Sequence, residues 1–126
     1  MVKNSIIEMV RIVNPIECQI LGDEKICLIY EAMLNKQKMS SLRESEELHR
    51  FNEPLQIMQY VEMTLSVFAS VLSVILSLGK SNTEVEKETL FVKAISVSLK
   101  LDDAQIRMLV KILKDVLKER NNEINK

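Results

Sequence analysis

Tryptophan is absent from this chain, histidine occurs once, and glycine, proline and cysteine occur twice each. Each shortage excludes something. Two glycines, two prolines and 4% aromatic residues are too few turn-formers and ring side chains for a many-stranded β protein, and favour helices joined by short connections. The two cysteines, Cys18 and Cys27, fall short of a disulfide framework and lack the close pairing and extra ligands of a zinc site. They read as reduced, buried thiols of a cytoplasmic protein. The lone His49 forms only half of a Glu-x-x-His metal motif with Glu46, and no second copy exists elsewhere. No metal or other cofactor is therefore expected.

Catalytic patterns are missing as well. A serine or cysteine nucleophile would have to rely on His49, and no glycine-rich elbow stands near a candidate. There is no phosphate loop, no GxGxxG and no pair of carboxylates in an apolar setting. The chain is accordingly read as non-enzymatic, with no small-molecule substrate inferred. Net charge is −1, so the basic excess that would displace counterions from a nucleic acid is missing. The apolar N-terminal stretch is interrupted by Glu8 and Arg11 and no small-residue cleavage site follows, so no signal peptide is expected.

What is present is helical patterning in one 126-residue domain. From Met63 to Gly79 the chain carries no charge, and Glu62 and Lys80 fence the run. Asn52, Pro54 and Gly79 sit where an N-cap, a first-turn proline and a C′ glycine belong, giving a helix over 54–78 about 38 Å long. Its second half is apolar on every side and must be buried in protein or in lipid.

Around it lie amphipathic segments. Ile6, Ile7, Val10 and Val13 mark a short helix over 3–13, and Asn14-Pro15 opens a second that Gly22 closes. Asp23 is expected to cap a helix over 24–37, with Ile26, Cys27, Ile29, Tyr30, Met33 and Leu34 inward. Ser41 and Glu44 have capping-box spacing before a charged helix over 42–51. Thr83 with Glu86, and Asp102 with Gln105, open helices over 84–99 and 103–120, leaving 121–126 as a frayed tail. The first carries Leu90, Phe91, Ala94, Ile95 and Leu99 inward. The second carries Ile106, Leu109, Val110, Leu113, Val116 and Leu117. Residues 94–101 also alternate as a strand would, but no partner strand is evident. The expectation is an all-α, compact bundle of five or six helices around a long central hydrophobic helix.

Three surfaces stand out. Ser66, Ser70, Ser73 and Ser77, with Ala69 alongside, form a small-residue line expected as a packing seam within the bundle or between two copies. Arg107, Lys111, Lys114 and Lys118 make a basic line on the last helix. Arg43, Glu44, Glu47 and Arg50 make the 42–51 helix a charged surface. Met33, Met58, Met63 and Met108 could rim an adaptable surface or fill the core.

Residues Leu78-Gly79-Lys80, Glu84–Leu90, Leu99-Lys100-Leu101-Asp102 and Ile106–Leu109 resemble one unit of the TerB-type helical domains associated with tellurite resistance. The acidic, metal-associated residues of that family's first turn are replaced by Lys80-Ser81-Asn82, and no function is carried over. A hydrophobic helix ringed by amphipathic ones is also similar in plan to Bcl-2-like proteins, without the tryptophan-containing signature.

The functional expectation is a protein-protein interaction module, such as an inhibitor, immunity or adaptor protein or an assembly subunit. Its partner would be another protein, with a homodimer possible through the serine line. A membrane-associated protein using 63–79 is the alternative, and nucleic-acid binding through 103–120 is the second.

Overall fold

Seven buried side chains decide how the central helix sits. The computed structural model describes residues 2–36, 55–79 and 82–124, and the central helix α4 runs Leu55–Ser77 within them. Met58, Val61, Leu65, Phe68, Leu72 and Ile75 are buried at alternating spacings of three and four, with Thr64 beside them. That is the stripe of an ordinary amphipathic helix. The uncharged run thus hid a one-sided pattern. Its outer face is built from serine, glutamine and a few apolar residues where charges are usual.

The other elements are α1 (Val2–Val13), α2 (Pro15–Leu21), α3 (Asp23–Leu34), α5 (Glu84–Ser98) and α6 (Asp103–Ile124). The fold is an all-α bundle with a long central helix, and no strand occurs among the described residues. Helix α4 packs against α1, α2, α3 and α5, while the main contacts of α6 are with α1 and α5. Val61, Leu65, Phe68 and Leu72 meet Ile6, Met9, Val10, Ile26, Ile29, Phe91, Ile95, Leu109 and Leu113 in one core. Each such side chain contributes about 1.5–3 kcal/mol on burial, taken as an upper bound.

Two caps form as their spacing predicts. The Thr83 hydroxyl accepts from the Glu86 amide at 3.1 Å, and the Glu86 carboxylate accepts from the Thr83 amide at 3.3 Å. The Asp102 carboxylate accepts from the Gln105 amide at 2.8 Å, and the Gln105 side chain accepts from the Asp102 amide at 3.0 Å. Gln105 also donates to the Ile12 carbonyl at 3.2 Å, tying the start of α6 to the end of α1.

Other caps differ from expectation. Gly22, at φ 83° and ψ 160°, precedes α3 as its N-cap. No neighbour lies within 4 Å of a Cβ built there, so backbone conformation alone demands glycine. Asp23 is displaced into the first turn, where its carboxylate pairs with Arg11. Gly79 does not adopt the left-handed conformation of a C′ glycine. Helix α4 instead ends with a tightened turn in which the Leu78 amide donates to the Ile75 carbonyl at 3.2 Å.

Residues 84–98 are helical, and their C-cap Leu99 is extended. The alternation over 94–101 is thereby resolved, since Ile95 is buried while Val97 is 84% exposed. Leu90 also points outward, and Leu34 and Ile16 do the same on α3 and α2. Met9 and Ala32 are buried instead, although their helices' expected stripes passed over them. Helix α6 continues through Ile124, beyond the expected end at 120. The expected 42–51 helix lies outside the described residues.

Candidate functional site

The basic line of α6 gathers four exposed charges of one sign on one helix face. Arg107, Lys111, Lys114 and Lys118 are all exposed, while Leu109, Ile112, Leu113, Val116 and Leu117 on the opposite side are buried. The capping boxes at Thr83 and Asp102 fix where α5 and α6 begin, and Leu99 to Asp102 turn the chain between them. The helices therefore form an antiparallel hairpin. The hairpin brings Glu88 to Lys114, and Val92 and Val110 to one groove.

Glu88 Oε1 lies 3.5 Å from Lys114 Nζ. That is within ion-pair range but longer than a close charge-assisted hydrogen bond. Beside the pair runs an open groove of about 410 Å³ lined by Glu88, Thr89, Val92, Lys93 and Val110. The two valines are half-buried and form its floor, and exposed Lys93 stands on the rim. Exposed Asp115 and Glu119 occupy the flank of α6 toward α1, the side from which Gln105 reaches Ile12. Spacing along the chain picked out the α6 line. It missed Glu88, Lys93 and the valine floor, which only the hairpin register brings to it.

The serine line has a different place from the one expected within the bundle. Ser66, Ser70, Ser73 and Ser77 are exposed on the side of α4 away from its core stripe, and Ala69 is half-buried. The physical reason is the three-and-four spacing of the larger residues, which claims the inward face first. Ser77 donates back to the Val74 carbonyl at 2.7 Å. A second open groove, of about 480 Å³, runs along this face and is lined by Glu62, Met63, Ser66, Val67, Ser70, Val71 and Ser98. The nine exposed residues of α4 include no charged side chain. By length and composition α4 could cross a membrane, and a third of its most apolar window is buried in the bundle.

Of the four methionines that sequence placed on a surface or in the core, Met58 is buried and Met33 half-buried, while Met63 and Met108 are exposed. Arg43, Glu44, Glu47, Arg50 and His49 lie outside the described residues. Among the described residues, no three His, Cys, Asp or Glu side chains are grouped as a metal site requires.

Two polar features sit inside. Asn14, expected to cap α2, makes no side-chain cap bond. Its Nδ2 instead donates to Thr64 Oγ1 at 2.8 Å, and Thr64 donates onward to the Tyr60 carbonyl at 3.2 Å. Asn14 Oδ1 is buried without a hydrogen-bond partner. Cys18 and Cys27 are free thiols. Burial pushes the Cys18 thiol up to about 11, against a smaller lowering by Arg11 and smaller increments from Glu17 and Asp23. A thiol so held is a packed side chain and a poor nucleophile at neutral pH.

No protein-family model, curated protein or solved structure matches this chain, and the TerB-type and Bcl-2-like resemblances gain no support from those comparisons.

Proposed function

We propose that the chain is a non-catalytic, cytoplasmic protein-binding module that meets its partner with the outer face of the α5–α6 hairpin. One observation carries the reading: four basic side chains, at 107, 111, 114 and 118, stand exposed in a line beside an open groove. A solvated helix face needs charge for solubility, but it needs neither one sign in register nor an apolar trough alongside. The two free cysteines suit a reducing compartment.

The test is co-purification of tagged protein from its native host without detergent, followed by light scattering. A soluble particle containing a stoichiometric protein partner, lost on Lys111→Glu with Lys114→Glu, supports the proposal. Recovery only with membranes, or a partner retained by the double variant, overturns it. A particle of twice the chain mass that persists in the double variant points to self-association along α4 instead.

A further inference from the structure

We infer that the α5–α6 groove takes an acidic, amphipathic segment of the partner protein, with a partner carboxylate replacing Glu88 on Lys114. The inference rests on the binding-module reading and adds the chemistry of what is bound.

The groove has the two elements such a segment requires. Val92 and Val110 give an apolar floor and Lys93 a cationic rim, and the α6 line runs alongside, joined to the groove where Lys114 meets Glu88. Arg107 to Lys118 extend about 16 Å along the helix, the length of three turns of a facing helix. Carboxylates spaced at i, i+4, i+7 and i+11 on that helix would meet the row, and an apolar residue beside them would enter the trough.

Glu88 shows that a carboxylate can occupy this seat. Its contact with Lys114 is loose at 3.5 Å and leaves more than half of the Lys114 side chain in solvent, so an incoming carboxylate can displace it. The acidic groups around the groove favour a protein segment over a nucleic acid. Asp115 and Glu119 flank the row on one side, and Glu84 and Glu86 stand at the start of α5. A continuous phosphate backbone would run against these groups, whereas a peptide presents carboxylates only where cations face them.

The experiment measures fluorescence anisotropy of a labelled helical peptide carrying glutamates at i, i+4, i+7 and i+11 and leucines at i+3 and i+10. A glutamine-for-glutamate version and a duplex DNA of similar length are the competitors. The peptide is expected to bind the intact chain and the glutamine version to bind at least tenfold more weakly. Lys111→Glu with Lys114→Glu should weaken peptide binding by about tenfold or more, with helical circular dichroism unchanged. Glu88→Gln should strengthen binding about threefold by vacating the seat, an effect that loss of folding cannot mimic.

Peptide affinity indifferent to both variants overturns the inference, as does DNA binding tighter than the acidic peptide. If the peptide fails while the double variant still loses its co-purified partner, the partner chemistry is wrong and the binding-module reading stands. If partner capture is also indifferent to the double variant, both fall.

Discussion

Replacing Asn14 by leucine should be harmless, while replacing its neighbour Thr64 by valine should be costly. Asn14 and Thr64 are 1% and 0% exposed and meet across the α1–α2 junction and α4. Thr64→Val removes the acceptor at 2.8 Å and leaves Asn14 Nδ2 buried and unpaired beside an oxygen that already lacks a partner. An orphaned buried donor costs about 1–3 kcal/mol. Asn14→Leu deletes both groups of the amide and leaves Thr64 its bond to the Tyr60 carbonyl. The lost hydrogen bond is worth about 1 kcal/mol, and relief of the unpaired oxygen returns about 1–3 kcal/mol. The single leucine variant should lie between neutral and about 2 kcal/mol more stable. In that background Thr64→Val should cost under about 1 kcal/mol, because its amide partner is gone. Urea denaturation followed at 222 nm measures all four members of the cycle, with constant m confirming a common unfolding transition. Asn14→Leu costing as much as Thr64→Val would mean that Oδ1 is paired in solution, for instance to a buried water.

Further outcomes follow from burial, capping and titration. Ser70→Leu with Ser73→Leu should change chain stability by less than about 0.5 kcal/mol, since both sites face outward. A larger loss in denaturation, or a changed mass in light scattering, would show that this face is covered. Thr83→Ala should lower stability by about 1 kcal/mol in the same assay through loss of the α5 cap. The Thr83 backbone amide and hydroxyl and the Asn82 side-chain amide hold the Glu86 carboxyl below its usual range. Its contribution is thus present above the unfolded carboxyl range and lost as pH falls through the lowered folded value, an acid sensitivity that Glu86→Gln should remove. Cys18, raised to about 11 from 9.0, is protonated in both states below pH 9. Unfolding releases its proton first as pH rises, so stability should fall between pH 9 and pH 11 and Cys18→Ser should flatten that fall. At pH 8 a thiol reagent should label Cys18 rapidly only after denaturant is added.

The helices were legible where local chemistry decides them. Asn14-Pro15, Thr83 with Glu86, and Asp102 with Gln105 mark starts that tertiary contacts left in place. Local signals failed where a long-range partner competed. Asp23 turned to Arg11, and the Asn14 side chain turned inward to Thr64, fifty residues away. The central helix shows a different failure. Val67, Val71 and Val74 fill the gaps between its core positions, so hydrophobicity alone gave no direction to the face. Only packing against α1, α3 and α5 selected the stripe through Phe68 and set the serines outside. The basic line was readable because it lies on one helix. Its groove was not, because Glu88 reaches Lys114 only through the hairpin register.

Differential lysine labelling of the co-purified complex shows whether the α5–α6 outer face meets a protein. Acylation read by mass spectrometry should show Lys93, Lys111, Lys114 and Lys118 protected in the complex and labelled in the free chain, with Lys36, exposed beyond α3, labelled equally in both. Equal labelling of the four hairpin lysines in free and bound protein would move the contact to another face.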